Sequence, residues 1–361
     1  MPVRSAVVGC GIAGEIHADL LDLHPSAELV ALCDTDVDRL RAVEIDSPAT
    51  RYADLERLLE DETLDSVHVC TPVHTHAPIA TRTLEEGIAT LIEKPAAPST
   101  EAVEEMIDAA KRNETPVSVV HDRKFSPEIQ RARRKVRRGE IGDVVSVTML
   151  YSEPLDLYEP TRGDWVFDLP GAEIGEGLVH QVYLPLTFVD GLGDIACVSK
   201  QNFAGYDDSI DFDGVAIEMT DSPGTRLITT KVSTNAVPKH ALEIHGTDGE
   251  LVVDFRRYGV FVNRDHPFDP TPATVLLGNL DLAAQLLGNL ARNVLTYGNL
   301  LRLRRKGEVR GWANTGHYHQ VDAYLESLEA GVQPPVPLED ARDTIRVLEA
   351  VGSRTGPSVN A

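Results

Sequence analysis

The 361 residues exceed what one hydrophobic core ordinarily serves, so two domains are expected. The composition, 42% hydrophobic and 25% charged, is that of a water-soluble globular chain; no apolar run reaches bilayer length, and residues 1–14 read as a strand and glycine turn rather than a leader, so a cytoplasmic protein is expected. The net charge of −23 argues against nucleic acid as a partner, and 8 lysines against 26 arginines point to a halophilic protein whose self-repulsion salt would screen.

The first predicted strand, Val3–Val8, runs into Gly9-Cys10-Gly11-Ile12-Ala13-Gly14 and a helix over Glu15–Leu23. A G-x-G-x-x-G turn in this setting suits a diphosphate, because glycines let the backbone approach it and the helix start offers N–H groups. The acidic residue expected about 20 positions on is Asp34, closing the second strand, Leu29–Cys33. Its carboxylate suits the ribose hydroxyls of NAD and repels the 2′-phosphate of NADP, although Arg39 nearby keeps NADP open. Strands at Val67–Cys70, Thr90–Ile92 and Val117–Val120 alternate with helices over Asp36–Val43, Leu55–Leu59, Ile79–Glu86 and Thr100–Arg112, the pattern of a doubly wound parallel sheet.

Cys10, Cys33 and Cys70 lie in or beside these strands as small apolar residues, and with Cys197 they show neither disulfide nor zinc spacing. His74 and His76 lack a third ligand, so no metal is expected. Glu93-Lys94-Pro95 ends the fourth of these strands and puts an ammonium at the sheet edge where cofactors bind; as a base near neutrality it needs desolvation or a cationic neighbour. His121 and Asp122 close the last strand and, with Trp165, are candidates to line a substrate cleft.

After Asp122 the period changes. A basic helix over Pro127–Arg138 ends at Gly139, and longer alternating strands follow at Val144–Tyr151, Ile195–Phe203, Val215–Met219, Thr225–Val232, Ala241–Gly246 and Leu251–Phe255. The turns at 221–224 and 246–249 read as hairpins. Glu176 and His180 are four apart and share a face if that stretch is helical. The nearly uncharged span Leu276–Leu301 precedes Arg302-Leu-Arg-Arg-Lys306; oligomer contact or core packing is expected there ahead of a membrane surface. Helices over His317–Ala330 and Leu338–Val351 close the chain. The fold expected is α/β: a Rossmann domain over 1–122, then an α+β domain over 123–361 with a large, mainly antiparallel open sheet.

In this order and spacing, Gly9–Gly14, Asp34, Thr71-Pro72 with His76, Glu93-Lys94-Pro95, Gly139-Glu-Ile-Gly142, Trp165 and Gly171–His180 resemble the glucose-fructose oxidoreductase / inositol 2-dehydrogenase / rhizopine-catabolism superfamily over nearly the whole chain. The resemblance implies NAD or NADP on the Rossmann domain, and a second domain whose sheet floors the substrate site and joins subunits into dimers or tetramers. It assigns Gly9, Gly11, Ile12, Ala13, Gly14, Asp34, Thr71, Pro72, His76, Glu93 and Lys94 to the cofactor, with Val73 where many relatives carry asparagine. It implies that Lys94 bonds the reacting hydroxyl, with a cis bond before Pro95, that His180 is a general acid/base and that Glu176 is its partner; His121, Asp122 and Trp165 remain substrate candidates. The usual G-G-x-x-x-D-x-G-x-H pattern is departed from at Ala172, Glu176 and Leu178. The activity implied is hydride transfer between NAD(P) and a secondary alcohol of a sugar, cyclitol or sugar derivative. A redox glycosidase with tightly held NAD and a non-catalytic NAD-bound regulator are the alternatives on this fold.

Overall fold

Short strands that are apolar on both faces need helices above and below them, and the first 122 residues supply that alternation. The computed structural model describes every residue except 159–163, 170–172, 208–209, 265–270, 307–314 and 354–361. In chain order come β1 (Val3–Val8), α1 (Ile12–Leu23), β2 (Ala27–Cys33), α2 (Val37–Ala42), β3 (Thr50–Tyr52), α3 (Leu55–Asp61), β4 (Ser66–Val69), α4 (His76–Glu85), β5 (Ala89–Ile92), α5 (Thr100–Asn113) and β6 (Val117–Val119). The strands form one parallel sheet in the order β3-β2-β1-β4-β5-β6. Strand order therefore reverses between β1 and β4, and ligands of such sheets bind beyond the carboxyl ends of the strands at that point. Every residue of β4 and β5 is buried. Helix α1 buries the stripe Gly14, His17, Ala18 and Leu21, at the spacing expected of one helix face. Asp36, Asp54 and Ser99 cap α2, α3 and α5 by accepting N–H groups of their first turns.

The next segment continues through α6 (Pro127–Arg137), β7 (Val144–Ser152), α7 (Glu173–Leu186), β8 (Leu192–Gln201), β9 (Gly214–Asp221), β10 (Leu227–Ser233), β11 (Lys239–Gly246), β12 (Glu250–Asp254), β13 (Gly259–Asn263) and α8 (Pro272–Lys306). Its seven strands lie in the order β13-β12-β11-β7-β10-β9-β8, with β7 and β10 the parallel pair. Period-two alternation puts one buried row across all seven strands: Val198, Ile217, Thr230, Met149, Leu242, Val253 and Val260. Helix α7 covers that face over β7 and β10, where the buried Thr230 hydroxyl donates to the Gln181 carbonyl at 3.0 Å. The opposite row, through Glu218, Thr229, Thr148 and Glu243, is half-buried or exposed. Both expected hairpins form, with Gly224 N–H donating to the Asp221 carbonyl and Gly246 N–H to that of Gly249, each at 2.8 Å.

Helix α8 is fastened to β13 through side-chain amides. Gln285 exchanges both hydrogen bonds with Val262 (2.7 and 2.8 Å), Asn289 does so with Val260 (3.4 and 3.2 Å), and Asn293 donates to the Arg257 carbonyl at 2.8 Å. Four residues of helix advance about 6 Å and two of strand about 6.7 Å, so successive amides meet alternate strand residues. Among the described residues, no helix is long and apolar enough to cross a membrane.

Helices α9 (Thr315–Ala330) and α10 (Leu338–Ser353) turn back to the first sheet. The Tyr324 hydroxyl lies 3.0 Å from that of Ser66, Gln320 donates to the Val119 carbonyl at 2.7 Å, and Glu349 accepts the Thr100 N–H and hydroxyl at 2.7 and 2.6 Å. Val321, Tyr324 and Leu325 join the core formed by Leu21, Leu29 and Leu32. The sequence assigned all of 123–361 to one domain. Packing divides the chain otherwise, into Met1–Asp122 with Arg304–Glu349 and Arg123–Leu303 with the residues from Ala350. The physical reason is that α9 buries Val321, Tyr324 and Leu325 in the core of the parallel sheet, while α10 is held to α5 through Glu349–Thr100 and Arg342–Glu104.

Candidate cofactor and catalytic sites

The glycine turn is built by steric exclusion. Gly9 holds φ at +96°, and a Cβ there would lie 2.6 Å from the Cys70 carbonyl carbon. A Cβ on Gly14 would overlap the Gly9 carbonyl oxygen, whereas one on Gly11 would meet nothing within 4 Å. The first and third glycines thus let the turn pack against β4 and α1, and the second leaves open space at the helix start. Gly11 is the N-cap of α1 and contributes no side chain, so the first-turn N–H groups have neither intrahelical partner nor side-chain cap. Bare backbone at an uncapped N-terminus fits the diphosphate of a dinucleotide. Ile12 is exposed, Ala13 half-buried, and the helix starts at Ile12 rather than Glu15 because the turn supplies its first residues. Gly14→Ala is expected to cost about 3 kcal/mol through overpacking; Gly11→Ala should fold as the parent does and bind NAD more weakly. Thermal melts beside fluorescence titrations check the pair, and equal stability losses would contradict it.

Asp34 closes β2 with its Oδ2 accepting the Cys10 N–H at 2.6 Å and its Oδ1 the Asp36 N–H at 2.8 Å. The carboxylate is tied directly to the glycine turn. Asp36, not Asp34, caps α2, and it also holds Arg39 at 3.4 Å. Beyond β4, Thr71-Pro72 enters a short 3₁₀ turn whose Thr75 hydroxyl bonds that of Thr71 at 2.7 Å. His76 is buried, with Nε2 2.6 Å from the Thr71 carbonyl and Nδ1 2.9 Å from that of Pro95. It ties together the loops that follow β4 and β5, and burial pushes its pKa down.

The Lys94–Pro95 bond is cis, as the resemblance implied. Lys94 is half-buried and its N–H donates to Oε2 of Glu93 at 3.1 Å. Glu93 is itself held in a cluster absent from the sequence expectations. Its Oε1 receives His17 Nε2 at 3.0 Å and His317 Nε2 at 3.3 Å; His17 Nδ1 lies 2.8 Å from His68 Nδ1, and His317 Nδ1 lies 3.5 Å from the Asp122 carboxylate. His17 and His68 are fully buried, Glu93 and Asp122 nearly so. Burial alone would raise the Glu93 carboxyl; hydrogen bonds from His17 and His317, and the charges of those rings, outweigh it and hold the pKa well below the carboxylate range. Burial would likewise lower His317, but the Glu93 bond and the charges of Asp122 and Glu93 raise it. His68 is pushed well down, first by burial and then by His17.

Of the two Nδ1 atoms that face each other at 2.8 Å, one donates and the other accepts. His68 Nε2 is buried without a hydrogen-bond partner. The donor atoms of His17, Glu93 and His317 lie within 4.8 Å of one another, a spacing that would also admit a cation. His121 and Asp122 are both buried, and Asp122 is engaged with His317.

In the second unit, α7 carries Glu176, buried, and His180, half-buried, one turn apart on one face. His180 Nδ1 lies 2.7 Å from the Tyr183 hydroxyl, which accepts the Arg123 N–H at 3.2 Å. The hydroxyl can donate to that nitrogen or accept from it, and in either tautomer the pair fixes the orientation of the His180 ring. Tyr183 was not singled out in the sequence; its position three residues after His180, on the same helix side, was the available signal. Trp165 lies half-buried in a 3₁₀ turn over Asp164–Asp168, while Gly171 and Ala172 fall outside the described residues. On the basic helix α6, Arg131 donates to the Tyr258 carbonyl at 2.9 Å and Lys135 pairs with Glu140 at 2.8 Å, so two of its cations serve the fold.

Residues 3–121 match the family model for the oxidoreductase family with NAD-binding Rossmann fold, and residues 129–252 match the GFO/IDH/MocA C-terminal domain. Inositol 2-dehydrogenase of Corynebacterium glutamicum is 29% identical over 155 residues, a match spanning 42% of this chain and 46% of that enzyme, less than half its length. Inositol 2-dehydrogenase of Rhizobium meliloti is 24% identical over 270 residues, 71% of this chain and 77% of that one. The WlbA dehydrogenase of Bordetella pertussis, solved in complex with NADH and UDP-GlcNAcA, superposes with a TM-score of 0.72 at 18% identity over 97% of this chain and 94% of that one. An NAD-binding oxidoreductase of Klebsiella pneumoniae gives a TM-score of 0.74 at 19% identity over 97% and 95%. At these identities the solved structures show likeness of fold.

Proposed function

Because the chain belongs to the GFO/IDH/MocA oxidoreductase family and carries its NAD-binding Rossmann fold, we propose that it moves a hydride between nicotinamide and a secondary alcohol of a sugar, cyclitol or sugar derivative. The observation that carries this reading is Lys94, which follows β5 on the carboxyl edge that also bears the glycine turn, its backbone tied to the buried carboxylate of Glu93. NAD, when bound, supplies the hydride acceptor. The Gly9–Gly14 backbone holds the diphosphate and Asp34 the adenosine ribose, favouring NAD over NADP. In the oxidative direction Lys94 takes the hydroxyl proton. On the second unit His180, its ring held by Tyr183, is the general acid/base and Glu176 its partner, the roles the resemblance implies.

A screen of aldoses, inositols, uronates and sugar nucleotides, read by NADH absorbance with NAD and NADP in parallel, tests the proposal. Turnover with a polyol and faster reaction with NAD are expected. Cleavage of a glycoside without net NADH would replace it with the redox glycosidase, and binding of NAD without turnover on any class would favour the regulator.

The resemblance further supports subunits joined through the open face of the seven-stranded sheet, whose row through Glu218, Thr229, Thr148 and Glu243 is half-buried or exposed. The acidic, lysine-poor composition supports adaptation to concentrated salt. On that reading the thermal midpoint rises between low and molar potassium chloride as carboxylate repulsion is screened; a flat or falling midpoint contradicts it.

A further inference from the structure

Helix α8 presents apolar residues at Leu276, Leu280, Ala283, Leu287, Leu290, Val294, Tyr297 and Leu301. Their spacing is four, three, four, three without interruption, the heptad seam of a coiled coil. Seven of the eight are exposed, Leu287 at 67% and Val294 at 62%, and Leu301 is half-buried. The amides of Gln285, Asn289 and Asn293 occupy a different side of the helix, so the contacts that fasten α8 to β13 turn the seam away from the sheet. Between Pro272 and Leu301 the helix carries one acid, Asp281, and one base, Arg292.

We propose that this seam pairs with the same seam of a second copy of the chain, antiparallel and about a two-fold axis near residues 288 and 289. Three observations commit it to that occupant. The first is self-complementarity: about this axis every seam residue meets another. Leu276 of one copy faces Leu301 of the other, Leu280 faces Tyr297, Ala283 faces Val294 and Leu287 faces Leu290, as an isologous contact requires. The second is size. The exposed parts of the seam and of flanking Leu277 and Leu286 amount to roughly 900 Å² on one copy, against about 800 Å² per partner for a standard specific interface. The third is charge. Arg302, Arg304, Arg305 and Lys306 crowd the last turn; a parallel pair would bring eight cations together, whereas the antiparallel one holds the two groups at opposite ends. The contact is separate from the open sheet face, so the two surfaces used together would give a tetramer.

The test uses the full chain. Leu287→Glu with Leu290→Glu puts like charges at the centre of the pair but alters side chains exposed on the single chain. Light scattering should show the native particle mass halved, with circular dichroism and thermal midpoint of the fold little changed. An unchanged mass, or a native protein already monomeric at micromolar concentration, overturns the proposal. Co-sedimentation of the native chain with phosphatidylserine vesicles, abolished by the double variant while the mass stays constant, would overturn it in favour of a membrane surface. Orientation is read with spin labels on Arg305→Cys in a Cys197→Ser background. Antiparallel pairing puts the two sites roughly 50 Å apart at 1.5 Å per residue, and a separation under about 20 Å refutes it.

Discussion

Lys94→Ala is expected to lower turnover by about a hundredfold or more, the scale for losing a positioned acid/base, while NAD affinity stays nearly as before. The separation follows from where the groups sit. Diphosphate contacts are assigned to the backbone of Gly9–Gly14 and ribose contacts to Asp34, whose carboxylate is tied to Cys10 and Asp36, and none of these bonds involves Lys94. His180→Ala should fall by a similar factor, because Tyr183 holds that ring in place and does not replace it. Glu176→Gln should be milder. Steady-state rates on the first polyol found, with fluorescence titration of NAD, decide the matter; a Lys94→Ala protein with native turnover removes the mechanism.

The largest stability effect is expected at Glu93. Glu93→Gln leaves His17 and His317 facing a neutral amide in a buried cluster, and breaking such a charge pair costs about 3 kcal/mol or more. For a unit of this size that is roughly 6–12 °C in thermal midpoint. The dependence on pH has two limbs. The Glu93 pKa is depressed from 4.5, so its contribution is complete above that value and fades as pH falls through the lower native one. The His317 pKa is raised from 6.5, so its contribution is complete below that value and fades as pH rises through the higher native one. The gap between native and variant midpoints should therefore be widest between pH 4.5 and 6.5 and should narrow on both sides. Melts of both proteins from well below pH 4.5 to well above pH 6.5 would falsify the charge assignment if the gap stayed constant throughout.

The parallel sheet was legible because its strands are short apolar runs and its helices begin at cap residues, as Ser99 does for α5. The glycine turn and Lys94 were legible because their chemistry lies in contiguous residues. Two strands were missed for a common reason: Thr50–Tyr52 is a three-residue edge strand with two exposed positions, and Gly259–Asn263 follows immediately on an exposed turn. Neither shows the long alternation that marks a strand. The cluster around Glu93 could not be read from spacing, since His17 precedes it by 76 residues and His317 follows it by 224. Locally His17 is only a polar residue on the apolar stripe of α1. The return of α9 and α10 to the first sheet was hidden for the same cause, as amphipathic helices advertise an apolar face but not its partner.

The amides of α8 also bear on how the chain avoids polymerising. The outer strand of an open sheet is a template on which a foreign strand can grow. At β13 the groups that would recruit one, the N–H and carbonyl of Val260 and Val262, are consumed by Asn289 and Gln285. At β8, the other end, register slips between Leu192 and Ile195 and again between Ile195 and Cys197, and the strand carries Asp194 and Lys200. An irregular, charged border is a poor template, and a border already saturated by side chains is none. Fibrous stacking is thus blocked by two unlike devices, and copies of this chain are left to meet through side-chain surfaces instead of shared backbone ladders.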